Sequence, residues 1–399
     1  MPLLPALPPA PPRARASALP VLPVLLLVLS LGCFAALCVA QRAPMADLLV
    51  YRAEGAAAAH GGDLYGFTVT EWRLPATYPP FAALLFVPAA WLPVPALKAA
   101  SLAGNAALLA VLVALSARLA SRPLSPALLC TATAAALWLE PVFQTLLFGQ
   151  VNLAVVCLSL WDLTRPPGAR ARGLALGLAA GVKLTPVLFL VYLLLRGRRR
   201  QAATAAAGLA ATVLLGFLLL PAASTDFWTR RLYETGRVGK AWIVDNQSLR
   251  GLVARALHDP APGLAWALPA AALTVAGLAL AGRARRESHG VLLTAFTALL
   301  VCPVSWTHHW VWCVPLLAVL LAEGRTRTAV LVALVFTART MWLVPHEGAL
   351  DLRLPWWQQP LAAAYPLVPL LLPFLLPPGA AQAACPVAPS SPPGCRPRP

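Results

Sequence analysis

The sequence predicts an all-α polytopic membrane protein. Three observations predict it: repeated apolar runs of membrane-spanning length, 59% hydrophobic against 11% charged residues, and a one-sided placement of the basic residues. With the N-terminus in the cytoplasm, 18 of the 31 Lys and Arg but only 3 of the 14 Asp and Glu fall in cytoplasmic segments. Short Arg-rich loops on one side are the positive-inside pattern. The net charge of +17 therefore indicates topology and predicts no nucleic-acid partner.

The first predicted span, residues 19–39, follows a basic, Pro-rich cytoplasmic head at 1–18. Its length fits a membrane anchor, although the small residues near its end (LCVAQ) leave signal cleavage as an alternative. Further spanning or near-spanning runs are predicted at 97–117, 124–139, 147–163, 201–221, 263–282, 289–304, 309–322, 328–344 and 360–377. Residues 378–399 have the Pro-rich composition of a disordered cytoplasmic tail.

Two segments break the pattern. Residues 80–93 (PFAALLFVPAAWLP) are short and Pro-rich, so they should dip into the outer face of the membrane or lie along it. Residues 173–195 lie between two basic loops that share a side, which predicts a broken helical hairpin around 183–186 (KLTP). Irregular backbone at that depth is tolerated only where protein or a water-filled cavity covers it.

The predicted membrane domain, residues 19–377, therefore has about 11 or 12 transmembrane helices with both termini cytoplasmic. The outer face then carries 41–79 as a catalytic loop, a short turn at 140–152, and the segments 222–262, 305–309 and 345–359.

The cysteines predict neither a metal site nor a disulfide framework. Of the eight, most lie in or beside apolar runs, none has metal-ligand spacing, and Cys385 and Cys395 lie in the tail. No cofactor is predicted.

The first candidate site is the stretch that follows the first span. On a helix, Asp47, Tyr51 and Glu54 share one face. A carboxylate beside an apolar wall can have a raised pKa and act as a general base. Alternatively, Asp47 caps a surface helix or pairs with Arg42 or Arg52.

Polar side chains recur in two further outer motifs. Residues 77–81 (TYPPF) place Tyr78 at the interface, either as a site residue or as an aromatic anchor before a stiff turn. Residues 148–152 (FGQVN) offer the amides of Gln150 and Asn152, which suit sugar hydroxyls and equally suit helix caps.

Two later motifs complete the outer face. Residues 245–248 (DNQS), with Asn246, Gln247 and the nearby Arg250, form a basic, polar loop that would attract a lipid headgroup or a lipid-linked phosphate, or would simply be solvated. Residues 305–312 (SWTHHWVW) place His308 and His309 among tryptophans, which favours a site over an aromatic belt.

A charged Lys183 at membrane depth is energetically unfavourable unless it is compensated, so its side chain should face a cavity, a carboxylate or carbonyl groups. It has either a structural role at the hairpin tip or a phosphate contact.

In their order along residues 47–310, these motifs resemble glycosyltransferase family 87, the polyprenol-phosphate-mannose-dependent mannosyltransferases of actinobacteria. The stretches that carry the resemblance are DLLVYRAEGAAAAHGGDLYG, LPATYPPFAALLFVPAAWLP, FGQVNLAVV, GLALGLAAGVKLTPVLFLVYLLLRGRRR, NQSLRGL and SWTHHW. The resemblance implies a GT-C-type bundle, an extracytoplasmic active site, a lipid-linked sugar donor, inversion, and an acid in the first outer loop. Asp47 matches that acid. The other residues that match family motifs are Gln150, Asn152, Lys183, Asn246, Gln247, His308 and His309.

The sequence thus predicts an enzyme of the plasma membrane that moves a mannosyl or other hexosyl unit from a polyprenyl-phosphate donor to a glycolipid or polysaccharide acceptor. Asp47 would be the general base, and Tyr51, Tyr78 and Arg250 would help to bind donor or acceptor. The alternative is a secondary transporter or lipid flippase whose site is formed by the broken helices around Lys183.

Overall fold

The computed structural model describes residues 21–376, which fold almost entirely into helices. The α-helices are α1 (Val21–Ala40), α2 (Ala46–His60), α3 (Pro80–Trp91), α4 (Val94–Leu119), α5 (Pro126–Ala136), α6 (Glu140–Phe148), α7 (Asn152–Leu163), α8 (Leu174–Val182), α9 (Leu188–Leu195), α10 (Arg199–Leu219), α11 (Pro221–Asp226), α12 (Leu249–Leu257), α13 (Gly263–Arg283), α14 (Glu287–Val301), α15 (Cys313–Ala322), α16 (Thr326–Thr337), α17 (Gln359–Ala362) and α18 (Ala364–Leu375). Short 3-10 helices lie at Thr185–Val187, Thr235–Arg237, Thr307–Trp312, Thr340–Leu343, Leu350–Arg353 and Trp356–Gln358, and a π-helical turn lies at Phe227–Arg231. The strands β1 (Thr68–Val69) and β2 (Leu74–Pro75) form one antiparallel pair.

Several of these helices can cross a bilayer. Within residues 21–376, four single helices are long and apolar enough, namely α1, α4, α10 and α13, and the pair α5–α6 qualifies as one span bent by 77°. The remaining apolar helices are shorter. The chain is an all-α, multi-pass membrane protein, as predicted, whereas the total of 11 or 12 spans stays a prediction. The predicted head at 1–18 and tail at 378–399 lie outside the described residues.

The structure differs from expectation at residues 140–152. In place of a short turn, the helix α6 begins directly after an extended residue, Leu139, with Pro141 in its first turn. Proline suits that position because the first helical N–H groups have no partner inside the helix. Gly149 ends α6 in the left-handed conformation, with φ of 70°.

Helices α8 and α9 form the predicted broken hairpin. Gly173, Gly177 and Gly181 recur at every fourth residue and let the backbone of α8 approach that of α10 closely, since a Cβ on Gly177 would lie 2.2 Å from the carbonyl oxygen of Ala205. Gly173 meets Gln201 in the same way, so α8 and α10 start at one end of the bundle and run parallel. Because only residues 196–198 join α9 to α10, α9 returns to that same end.

Ion pairs join the helix ends at this position, which we call the basic end. Arg198 pairs with Glu287 at the start of α14, and Arg286 contacts Glu323, just beyond α15, at 2.8 Å. Arg196 donates to backbone carbonyls at the end of α13, at 2.8 and 3.1 Å. The hairpin tip at Lys183 therefore points toward the opposite end.

Helix α3 packs lengthwise on α2, which fixes the position of α2 in the fold. Gly55 permits the contact, because a Cβ there would lie 2.2 Å from the carbonyl oxygen of Phe86. The rings of Phe86 and Tyr51 are stacked, with centroids 4.4 Å apart. The depth of α3 in the membrane stays a prediction.

Candidate active site

A cavity of about 1060 Å³ opens at the hairpin tip, remote from the basic end. Its walls come from the start of α2, the segment 72–79, the end of α6, the tip residues 183–188, the segment 227–245, the corner 298–309, and residues of the segment 342–348. The predicted site residues that line it are Asp47, Tyr51, Tyr78, Gln150, Lys183, His308 and His309. Residues as far apart in sequence as 47 and 309 therefore meet in one space.

Asp47 lies in the first turn of α2, where the backbone turns sharply at Met45, whose φ is 49°. Among the described residues, Asp47 has no ion pair with Arg42 or Arg52, and the Nε of Arg52 instead donates to the carbonyl of Leu92. Burial raises the pKa of Asp47 to about 6. A hydrogen bond from Gln150 and the charge of Lys183 lower this pKa, and the charge of Asp245 raises it.

Gln150 links three side chains around Asp47. Its Oε1 accepts hydrogen bonds from the hydroxyl of Tyr51 at 2.7 Å and from that of Tyr78 at 3.0 Å, so its N–H group is left to donate to Asp47. Gly149 makes this possible, since it ends α6 and passes so close to α2 that a Cβ there would lie 2.7 Å from the Cβ of Leu48. The FGQ motif therefore holds the amide against the carboxylate.

Lys183 lies in the break between the two hairpin helices and faces the cavity. Its Nζ donates to Asn152 Oδ1 at 2.7 Å and to the hydroxyl of Tyr78 at 3.4 Å. Asn152 in turn donates to the backbone carbonyl of His308 at 2.8 Å. Asn152 therefore lies behind the lysine, between the hairpin tip and the histidine corner. It lines a small side chamber of about 30 Å³ instead of the main cavity.

His308 and His309 project from the 3-10 turn Thr307–Trp312 into the cavity. His308 is only 4% exposed, and among the described residues neither of its ring nitrogens has a hydrogen-bond partner. The same is true of Nδ1 of His309. Buried polar atoms without partners are rare in folded proteins, so these nitrogens mark hydrogen-bonding capacity beside the cavity that the protein itself does not use.

Besides Asn152, three of the residues predicted to bind donor or acceptor do not line the main cavity. Asn246 donates to the carbonyls of residues 241 and 303 and accepts from the N–H groups of residues 248 and 305. The amide of Gln247 contacts three backbone groups, of residues 244, 362 and 365. Arg250 donates to the hydroxyl of Thr235 at 2.7 Å and lies over the ring of Trp266. All three hold the cavity wall from behind.

Two carboxylates in or beside the cavity were not among the site residues predicted from sequence. Asp245 lines the cavity and accepts hydrogen bonds from Thr307. Glu54 is 1% exposed and accepts a hydrogen bond of 3.3 Å from the N–H of Thr77, and burial raises its pKa to about 8. The feature of the sequence that could have identified Asp245 is its position directly before Asn246 and Gln247, whose amides bind backbone groups.

The cavity thus combines a carboxylate of raised pKa, amide and phenol groups that fix it, and a cationic and imidazole wall opposite. Such a set can bind hydroxyl groups, remove a proton from one of them, and stabilise negative charge that develops nearby. Within residues 21–376, no cluster of three or more His, Cys, Asp or Glu side chains could hold a metal ion.

The chain is thus a polytopic helical membrane protein with a polar cavity at the end of the bundle opposite the basic end. Comparison with known proteins gives the family. The model of glycosyltransferase family 87 matches residues 76–307. No solved structure matches the chain significantly.

Curated relatives cover most of the chain. A Mycobacterium tuberculosis H37Rv protein named polyprenol-phosphate-mannose-dependent alpha-(1-2)-phosphatidylinositol mannoside mannosyltransferase is 35% identical over 352 residues, which is 80% of this chain and 81% of the relative. A pentamannoside mannosyltransferase of M. tuberculosis CDC 1551 with the same donor in its name is 37% identical over 76% of this chain and 72% of its own. A Mycolicibacterium smegmatis mannosyltransferase named like the first is 33% identical, with coverages of 76% and 73%.

The chain therefore belongs to glycosyltransferase family 87, as its motifs suggested, and is an enzyme. The matched range of the family model begins after α2, so the role of Asp47 is argued from its position in the cavity.

Proposed function

We propose that this enzyme transfers a mannosyl unit from a polyprenyl-phosphate donor to a phosphatidylinositol mannoside or related glycolipid, with Asp47 as the general base. The observation that carries the proposal is Asp47 itself. It is a carboxylate whose pKa burial raises to about 6, held by Gln150 and facing a cavity large enough for sugar groups. The names of the relatives supply the donor and the class of acceptor.

In the proposed reaction, ionised Asp47 takes the proton of an acceptor hydroxyl. The hydroxyl oxygen attacks the anomeric carbon of a β-linked mannosyl donor from the face opposite the phosphate. The new C–O bond forms as the bond between the anomeric carbon and the phosphate oxygen breaks, so the product is α-linked. Polyprenyl phosphate leaves with the bonding electrons, and because it is a good leaving group no dedicated general acid is needed.

Negative charge grows on the departing phosphate and needs cations or donors. Lys183, His308 and His309 line the cavity and can meet it there. Arg250 lies behind the wall, so we give it a supporting role in place of the phosphate contact predicted from sequence.

The cavity is proposed to open on the outer face of the plasma membrane, with both termini in the cytoplasm. The basic end collects the Arg residues of the predicted cytoplasmic loops, and the cavity lies at the opposite end of the hairpin. A transporter or flippase centred on Lys183 would move substrate without consuming the donor. Membership of a glycosyltransferase family favours transfer.

The test is to replace Asp47 with Asn or Ala and to measure transfer from labelled polyprenyl-phosphate mannose in membranes. Removal of a general base should lower the rate by about 100- to 10,000-fold. Asp63→Asn is the matched control, because Asp63 is exposed in the same outer segment and does not line the cavity. Near-normal transfer by a correctly inserted Asp47 variant would refute the assignment.

A further inference from the structure

The cavity has a second carboxylate whose purpose the proposed reaction does not explain. Asp245 precedes a single antiparallel bridge between Asn246 and Trp306, which joins the segment 227–245 to the histidine corner. Its backbone carbonyl accepts from the N–H of Thr307 at 3.0 Å. Asp245 and Asp47 lie close enough for the charge of Asp245 to raise the pKa of Asp47.

The side chain of Asp245 is held by one of its two oxygens. Oδ1 accepts from the hydroxyl of Thr307 at 2.6 Å and from its N–H at 3.2 Å. Oδ2 has no hydrogen-bond partner among the described residues, and it is not one of the atoms sealed from solvent. One oxygen therefore anchors the carboxylate and the other is presented to the cavity.

The neighbouring amides make this arrangement rigid. The side chains of Asn246 and Gln247 form hydrogen bonds with backbone groups on both sides of the bridge. Asp245, which precedes them, therefore cannot turn away from the cavity. Such support fixes a functional side chain before the ligand arrives and reduces the entropy lost on binding.

A carboxylate in this position is costly unless something compensates it. No Lys, Arg or His in the described part of the chain forms an ion pair with Asp245, and a second carboxylate faces the same cavity. Water can solvate the free oxygen in the cavity, and a ligand that donates hydrogen bonds can replace that water when it binds. Sugar hydroxyls do this, and a charged acceptor binds them more strongly than a neutral one.

We propose that Asp245 is a specificity-determining residue that accepts a hydrogen bond through Oδ2 from a hydroxyl group of a bound sugar. Thr307, Asn246 and Gln247 are its positioning residues. The inference rests on the proposed mannosyl transfer, and the sugar is either the transferred mannosyl unit or the acceptor residue beside it.

The test uses deoxy sugars with the full-length enzyme in membranes. Polyprenyl-phosphate mannose and a synthetic mannoside acceptor are each supplied intact and with single hydroxyl groups removed. In the wild-type enzyme, loss of the hydroxyl that meets Asp245 should lower kcat/KM by about 10- to 100-fold, the effect of a hydrogen bond to a charged group. A deoxy donor that shows the loss identifies the transferred sugar, and a deoxy acceptor identifies the acceptor.

Substitution of Asp245 should remove the preference for that one hydroxyl group and leave the effects of the other deoxy sugars unchanged. Asp245→Asn keeps an acceptor for Thr307 but turns a neutral amide to the cavity, so the penalty for the deoxy sugar should shrink to below about 5-fold. Asp245→Ala should abolish it. Thr307→Val removes the stronger of the two hydrogen bonds to Oδ1 without changing the carboxylate. It should weaken discrimination at the same hydroxyl, and it provides a second measurement if the Asp245 variants insert poorly. Asp259→Asn is the control, since Asp259 is exposed in the same outer segment and lies outside the cavity lining.

Equal discrimination by the wild-type and Asp245 variants at every position would overturn the inference while leaving mannosyl transfer intact. Absence of transfer from the intact donor by the wild-type enzyme would instead refute the proposed function, and this inference with it.

Discussion

The pH dependence of transfer should report the surroundings of Asp47 directly. Because Asp47 must be ionised to act as a base and its pKa is about 6, kcat/KM should rise with pH up to about 6 and level off above it. Roughly one tenth of the carboxylates are ionised one unit below this value, so activity should fall about tenfold per unit on the acid side.

Two substitutions should move this acid limb in opposite directions. Lys183→Met removes the cation that lowers the pKa of Asp47, so the limb should move to higher pH. An opposite charge a few ångströms away shifts a carboxyl pKa by about one unit or more, which is about 1.4 kcal/mol. Asp245→Asn removes a carboxylate that raises the pKa of Asp47, so the limb should move to lower pH by a smaller amount, since the charge of Lys183 has the larger influence.

The assay is the initial rate of transfer from labelled polyprenyl-phosphate mannose at low substrate concentration, measured between about pH 4.5 and 9 in the same membrane preparation. Both variants should also transfer more slowly at every pH. The measured quantity is therefore the apparent pKa of the acid limb and not the maximal rate. General damage to the fold would not move the two limbs apart. A shift of both variants in one direction, or a wild-type limb near pH 4 as for an exposed Asp, would refute the reasoning.

Three further changes test the fold around the site. Glu54→Gln should raise the melting temperature at pH 8 and change it little at pH 4. Folding raises the pKa of the Glu54 carboxyl from 4.5 to about 8, so the wild-type protein loses stability as pH rises through that interval. An unchanged melting temperature at pH 8 would contradict this. Gly177→Ala should destabilise the hairpin by about 1–3 kcal/mol, because the added Cβ would meet a backbone carbonyl of α10. The control Gly104→Ala, which lies in open space on α4, should be neutral or slightly stabilising. Equal melting curves for the two variants would argue against the close contact. Asn246→Ala should lower the melting temperature and raise KM by loosening the wall, because it leaves buried backbone groups unpaired at about 1–3 kcal/mol each; an unchanged melting temperature would show that these bonds contribute nothing.

Much of the site could be predicted because each motif carries a residue type that is costly in a membrane protein. Asp47, Gln150 and Lys183 are polar residues beside or within apolar runs, and all three face the cavity. The hairpin followed from charge alone, since two basic loops on one side require the intervening segment to return.

The other features of the site depend on contacts between residues far apart in the chain, which the sequence does not show. In the DNQS motif the expected ligands were the amides of Asn246 and Gln247, yet both are used within the fold and Asp245 faces the cavity. Which of three adjacent residues faces inward is decided by the bridge to Trp306. Residues 140–148 likewise form a helix, because Pro141 can start a new helix as well as end an old one.

The most direct test of the proposed reaction is the configuration of its product. Purified enzyme in lipid vesicles would receive β-linked polyprenyl-phosphate mannose and a phosphatidylinositol mannoside acceptor, and the new linkage would be assigned by NMR. We expect an α-linked mannosyl product and released polyprenyl phosphate from the wild-type enzyme, and neither from Asp47→Asn. A β-linked product, or α-linked product formed as fast by Asp47→Asn, would contradict a single displacement with Asp47 as the base.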